Sequence, residues 1–544
     1  MIARVSSPAA VTAFVHARLF DGHRHRGEVG PVLVQDGRVV AVGDVEVPAG
    51  ARVVDCAGGL LAPGFVDAHV HTVQGGLERI RCDLSEGRTR EDYLAAVAAH
   101  AEAHPDEPWV LGGGWGMSAF PGGTPTAADL DTVVADRPAF LPNRDHHGAW
   151  VNSRALALAG ITAATPDPPG GRIERDAAGE PTGTLHEGAM ALVTTLLPRT
   201  LDTDYDRALL EGQRHLHSLG VVGWQDAIVG SYAGMDDPGP AYVRAAERGH
   251  LTGHVVGALW WDRERGAEQV ASLVERRTAY THGRFRATSV KIMQDGVAEN
   301  FTAAMNAPYP DRCGHATANR GHSFVDAAAL RQYVGLLAAQ RFQVHVHAIG
   351  DRGVREALDA FAELPSGADL RHHVAHLQVV DPADVPRFAA LGVAANAQAL
   401  WACHDDQMDE LTLPFLGPER SAWQYPFGSL HASGARLVMG SDWPVSSPDP
   451  LAAMHVAVNR WDAEEGDPAR PFLPEQSVAL ETAFAAYTSG SAWVNHRDDA
   501  GTITPGAVAD LVLLDRDPFA AEPARIAEAR VVSTWVDGIA VYET

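Results

Sequence analysis

Short runs of Val, Ile, Leu and Ala alternate along this chain with longer Ala-rich amphipathic stretches, the βα signature of a parallel sheet. Apolar runs of strand length fall at 64–69, 221–224, 254–259, 287–293, 342–348, 372–377, 392–397 and 436–439. Helical patterns such as DAAALRQYVGLLAAQ and DRGVREALDAFAEL stand between them. Eight such runs predict an α/β fold, a (β/α)₈ TIM-like barrel.

The two ends of the chain follow a different rhythm. AVTAFVHARLF, GPVLVQDGRVVAVG and RVVDCAGGLLAPG are short β segments with a hairpin signal at Asp36-Gly37. Near the other terminus, after the helical SVALETAFAAYTSGSAWV, come GTITPGAVADLVLLD and RVVSTWVDGIAVYE with a turn at Asp537-Gly538. Both ends are expected to join in one β-sandwich, formed by 1–62 and 496–544, with the barrel at 63–495 between them. The stretch at about 73–220 is far longer than an ordinary βα connection and predicts an insertion after the first barrel strand. Within it, GGRIERDAAGEPTGTLHEG reads as a hairpin.

Composition narrows the function. The 544 residues carry 69 acidic against 43 basic side chains, a formal charge of -26, which argues against a nucleic-acid partner. No stretch approaches the ~20 apolar residues of a membrane helix. The opening MIARVSSPAAVTAF lacks the apolar core of a secretory leader. The expectation is a cytoplasmic protein acting on a small molecule, without a membrane partner. Cys56, Cys82, Cys313 and Cys403 are scattered without CxxC spacing, which favours reduced thiols over a zinc ribbon or disulfide framework.

Candidate chemistry gathers at the ends of the strand runs, where a barrel delivers its catalytic side chains. In GFVDAHVHT, His69 and His71 are two apart and share a strand face, so both can address one metal ion. His345 and His347 also share a face, and His347 lies nearer the C-terminal end, making it the ligand candidate and His345 a supporting or packed residue. The same logic selects His376 over His372, deeper on its face, and over His373, expected to face away. Lys291, in the apolar setting ATSVKIM, is either a carbamate formed with CO₂ that bridges two cations or a neutral or ion-paired amine near one. Asp442, at the end of the last run, can bind metal and accept a proton from metal-activated water. Trp115, Phe120, Trp224, Trp401, Tyr425 and Trp443 are candidates for the apolar wall of a substrate pocket.

GFVDAHVHT, HAIGD, GSDWP and the closing GTITPGAVADLVLLD resemble the signatures of the amidohydrolase superfamily, over essentially the whole chain. DHHGAWVNSRALALAGI, PPGGRIERDAAGEPTG and VKIMQDGVAENFTAAM are similar to amidohydrolase family 3, in particular its N-substituted formamide deformylases. The resemblance implies a barrel with a composite sandwich, one or two zinc or related divalent ions, a homodimer and hydrolysis of a C–N bond. It makes His69, His71, Lys291, His347, His376 and Asp442 the metal centre, with Lys291 carboxylated in the two-metal form. It aligns His147 with the family's histidine and leaves His146 as an extra residue; a metal ion, with His147 or the neighbourhood of His347, is expected to stabilise the developing oxyanion. VAHLQ departs from the pattern, since many relatives carry an acidic residue before the histidine. Deamination of a cyclic amidine, or hydrolysis of a lactam, carbamate or ester, would use the same centre. A non-catalytic metal-binding protein of this fold is disfavoured because no metal-site position is missing.

Overall fold

The computed structural model describes residues 11–232, 234–365 and 367–544; the opening segment 1–10, on which the reading of a missing leader partly rests, lies outside them. Eight parallel strands form one sheet: β1 (Phe65–Val70), β2 (Val221–Val229), β3 (His254–Trp260), β4 (Phe285–Met293), β5 (Gln343–Ala348), β6 (His373–His376), β7 (Ala394–Ala397) and β8 (Leu437–Met439), in sequence order across the sheet. Every strand run read from the sequence is present. The ring is drawn together at its C-terminal end, where the Asp442 amide donates to the His69 carbonyl (2.7 Å) and the His71 amide donates to the Trp443 carbonyl (2.8 Å). These strands are buried along nearly their whole length, as a sheet covered by helices on one face and filled on the other must be. The expected helices appear at Ala327–Ala339 and Asp351–Ala362.

The termini build two further sheets that face each other. A four-stranded sheet uses only the N-terminal segment, Thr12–Val15, Val32–Gln35, Arg38–Val42 and Arg52–Asp55. A six-stranded sheet mixes both ends: Leu60–Pro63 pairs antiparallel with Leu511–Leu514, and Val531–Val536 and Ile539–Glu543 follow. Phe14, Leu19, Val34, Leu61, Leu511 and Trp535 share the core between them. Both anticipated hairpin turns form with paired positive φ, 51° and 75° at Asp36-Gly37 and 48° and 72° at Asp537-Gly538, the geometry that matches strand twist.

Between β1 and β2 the chain first forms α1 (Thr72–Arg79) and last α2 (Asp202–Ser218). Val73, Leu77, Leu209 and Leu216 of these helices belong to the barrel's own core. The inserted part proper is a six-stranded mixed sheet spanning residues 82–187, with separate cores around Trp115 and Trp150 and around Phe140 and Leu185. The 171–187 hairpin reads as expected from the sequence. Among the described residues no helix is long and apolar enough to cross a membrane. The four cysteines are free thiols.

Candidate metal centre

At the C-terminal mouth of the barrel, His69 at the end of β1 and His71 just beyond it converge on Asp442 from the turn after β8. His71 Nε2 lies 2.9 Å and His69 Nε2 3.0 Å from the same oxygen, Asp442 Oδ1. Lys291, on β4, brings Nζ to 3.3 Å from His69 Nε2. His347 and His376 face them, their rings 4.4 Å apart, with His376 4.7 Å from the His69 ring. The six side chains singled out as a metal centre therefore share one buried site, although they come from five strands and 374 positions of chain.

The backbone explains part of this convergence. Asp67 on β1 accepts from the amides of His69 (3.0 Å) and Ser441 (3.1 Å), tying the first strand to the turn that carries Asp442. Asp295, just beyond β4, accepts from His347 Nδ1 and from the amides of Ile349, Gly350 and Ala304, which orients the His347 ring with Nε2 toward the cavity. His376 (φ 81°) and Asp442 (φ 59°) sit in the left-handed region, where a side chain costs on the order of 1–3 kcal/mol and is found mainly at functional positions.

That turn at His376 also corrects one assignment. Strict alternation places His373 outside and His372 inside, but the φ of 81° ends the strand and swings the His376 side chain back over the barrel. His373 is the inward residue, hydrogen-bonded to Gln225 at 3.0 Å, while His372 stacks on Phe361 in the helical layer.

Burial and neighbours set the charges. Burial lowers Lys291 to about 7, opposed by Asp442, so its free amine is accessible near neutrality. Burial, reinforced by Lys291, lowers His69 to about 3. Burial alone would raise Asp442, but the histidines around it hold its carboxyl well below the usual range. The donor set fits a divalent cation: both nitrogens of His376 and Nδ1 of His71 are buried without a hydrogen-bond partner among the described residues. Neutral imidazoles around a carboxylate are a transition-metal ligand set.

Above this centre the insertion contributes His147. Its Nδ1 lies 2.8 Å from Glu187 Oε1 inside the protein, and its ring is 6.0 Å from His347. Burial would lower His147, but the Glu187 carboxylate raises it to about 9, so the imidazole is a cation at neutral pH. Glu187, itself at φ 50°, escaped the sequence reading: it ends the second strand of the 171–187 hairpin as one of many surface-like acidic residues, and only the fold sets it beside His147. His146 also lines the cavity, accepting from Gln74 Nε2 at 2.8 Å and lying 3.1 Å from Glu78.

A small cavity of about 50 Å³, open to solvent, lies over the centre. Trp401 lines it, stacked on His376 with the planes 3° apart. The other apolar-wall candidates lie elsewhere. Trp115 and Phe120 pack with Trp150 in the insertion core, where the Trp115 indole donates to the Leu141 carbonyl. Trp224 donates to the Tyr242 hydroxyl behind β2, and Tyr425 is buried in the barrel core. Trp443 packs against His215, with its ring over Gly75 in α1. The wall is instead made by Ile228, Tyr232, Trp260, Met293, Val297 and Val445. Ile228, Trp260 and Met293 end their strands inside apolar runs, so their residue types carry no mark that distinguishes them from core.

Comparison with known proteins gives the family. The sequence profile described as the amidohydrolase family matches residues 52–542. The chain belongs to the amidohydrolase family. It is 29% identical to the putative amidohydrolase YtcJ of Bacillus subtilis (97% of this chain, 98% of that protein) and 27% identical to an N-substituted formamide deformylase of Arthrobacter pascens (94% of each). Among solved structures, an uncharacterised metal-dependent hydrolase of Pyrococcus furiosus is 26% identical, with a TM-score of 0.71 over 94% of this chain and all of that one. The chain is thus a member of a metal-dependent hydrolase family, with a barrel that presents a candidate metal-binding group.

Proposed function

We propose that this protein hydrolyses the C–N bond of a small N-substituted formamide or related N-acyl compound carrying an apolar substituent. The observation that carries the reading is the pairing, within one cavity, of the His69, His71 and Asp442 cluster with a buried cation, His147, facing it across an apolar wall. His69, His71, Lys291, His347, His376 and Asp442 would hold one or two zinc or related divalent ions. When bound, the metal supplies an activated water and a polarised acyl oxygen. Asp442 accepts the proton that water releases at Oδ and returns it to the departing amine nitrogen. His147, charged at neutral pH and oriented through Nδ1 by Glu187, offers Nε2–H to the acyl oxygen as negative charge develops there. The apolar wall accommodates the amine's substituent and excludes water.

Lys291 favours the two-ion form. An ammonium repels a cation, but an amine lowered to about 7 can add to CO₂, forming an N–C bond and releasing a proton. The resulting carbamate offers two oxygens. A panel of N-alkyl and N-arylmethyl formamides, other N-acyl amines, lactams, carbamates, esters and cyclic amidines, read separately for formate, amine, acid and ammonia, tests the substrate. Amine and formate release from the formamides is expected. Ammonia from the amidines alone would overturn the reading.

A further inference from the structure

A chain of buried side-chain hydrogen bonds runs down the barrel interior from His69, and its proton positions can be worked out from the backbone groups at its ends. Gln343 presents Nε2 to two backbone carbonyls, Arg371 at 2.9 Å and Val494 at 2.6 Å. Carbonyls only accept, so the Gln343 amide can face one way only, and Oε1 is the atom that meets Gln225. Gln225 must then donate through Nε2, to Gln343 Oε1 and to Asn495 Oδ1, each at 2.9 Å. Its own Oε1 therefore faces the two histidines, His345 Nδ1 at 2.8 Å and His373 Nε2 at 3.0 Å, and both must carry hydrogen.

A second, independent route gives the same polarity. Asn396 Nδ2 donates to the Ala68 carbonyl at 3.0 Å, and Gln398 Oε1 accepts from the His376 amide at 2.7 Å. Both amides are thereby oriented, and Gln398 Nε2 meets Asn396 Oδ1 at 3.1 Å in agreement. Asn396 Nδ2 also lies 3.2 Å from His373 Nδ1, which must be the acceptor nitrogen of its ring. The hydrogen of His373 is then on Nε2, as the first route requires.

His345 is fully buried and touches Gln225, His69 and His373 but, among the described residues, no carboxylate, so it is a neutral ring. With hydrogen on Nδ1, its Nε2 is an acceptor, and the atom 2.9 Å away is His69 Nδ1. His69 must donate there, which leaves its Nε2 as a bare lone pair. That lone pair faces Asp442 Oδ1 at 3.0 Å. The His69–Asp442 contact is two electron donors, not a hydrogen bond; the Lys291 amine, 3.3 Å from the same Nε2, can donate to that lone pair, and a cation between nitrogen and carboxylate would satisfy both.

We infer that His345, oriented by Gln225, is the positioning residue that holds His69 in the Nδ1–H tautomer and so makes Nε2 a metal ligand before any metal arrives. The inference rests on the reading of His69 as part of the metal centre. It gives a role to a histidine and a glutamine that touch neither the cavity nor substrate.

The test uses the full metal-free chain and zinc, titrated against a chelating indicator, for the parent and two variants. His345→Phe keeps a flat ring but has no acceptor, whereas His345→Gln keeps an acceptor oxygen. Loss of such an outer partner weakens metal affinity about 10–100-fold. That loss is expected for Phe, with Gln within a few-fold of the parent and both unfolding at similar temperatures without metal. Equal zinc affinity in the folded Phe variant, or equal loss in both, would overturn the inference. A parent chain that binds no zinc would instead remove the metal-centre reading beneath it. Long-range proton–nitrogen spectra of the ¹⁵N-histidine-labelled, metal-free parent decide the matter even if the Phe variant does not fold. His69 protonated on Nδ1 supports the inference, and His69 protonated on Nε2 refutes it.

Discussion

Glu187→Gln isolates the contribution of the His147 cation. The exchange keeps the size of the side chain and an oxygen for the Thr302 hydroxyl, which donates to Glu187 Oε1 at 3.0 Å, but removes the charge 2.8 Å from His147 Nδ1. With Glu187 in place, His147 stands at about 9 against an ordinary 6.5. Without it, burial is the largest remaining influence, opposed only by Asp145 and Asp442, and the ring's pKa falls from about 9 toward its ordinary value. A return from about 9 to 6.5 removes on the order of 3 kcal/mol in favour of the charged form. The sign is that of a raised base: the charged ring is present below about 9 in the parent and vanishes at neutral pH in the variant. If the cation stabilises the developing oxyanion, kcat/KM at pH ~8 falls about 10²-fold, within the range for loss of one such donor. It recovers as pH drops toward ~6, where the ring is again partly charged. The assay is kcat/KM against pH for a formamide turned over by the parent. A loss of equal size at every pH, or an unchanged alkaline limb, would refute the electrostatic role.

Other outcomes follow from the same geometry. Asp442→Asn should lower kcat by about 10²–10⁴-fold, the usual contribution of a general acid–base group; activity near the parent's would dismiss Asp442 as the proton carrier. Lys291→Met should reduce the metal bound per chain, measured by elemental mass spectrometry, and unchanged occupancy would argue against a bridging carbamate. Asp537 is lowered to about 2 by His254 and by Arg284 and Arg497, working against burial, and it joins the sandwich to the barrel through His254 and Arg284. Asp537→Asn should therefore lower the unfolding temperature at neutral pH, and the gap should shrink as pH falls below 3.8 toward about 2. Trp535→Ala, which removes a buried ring 5.2 Å from Phe14 in the sandwich, should cost about 3–5 kcal/mol, read from urea unfolding.

Most of the fold is legible in the sequence because its signals are local. Strand-length apolar runs, Asp-Gly turns and Ala-rich helices each act within a few residues, and all eight barrel strands and both hairpins form where those signals lie. The metal-centre candidates are legible for a related reason: polar residues closing buried strands are conspicuous. The facing of β6 was not, because the positive φ at His376 breaks the alternation on which the reading depends. The apolar wall was not legible either, since Trp224 and Trp401 are the same residue type and differ only in what the fold puts in front of them. Glu187 and Gln225 are both about tertiary partners far away in sequence, and no local pattern announces them.

The insertion meets the barrel through the chain just after β4, where Asn300 donates to the His147 carbonyl at 3.3 Å and Thr302 donates to Glu187. Asp442, the proposed acid–base carboxylate, thus belongs to the barrel, and His147 with Glu187 to the insertion. A lineage can remodel the insertion's outer loops and change what it accepts without disturbing the ring of strands. It cannot replace the insertion wholesale, because the transplanted piece must arrive with its own histidine–glutamate pair and find Asn300 and Thr302 waiting. Substrate drift should therefore be gradual in this architecture, and chimaeras joined at residues 80 and 200 should fail in catalysis while still folding.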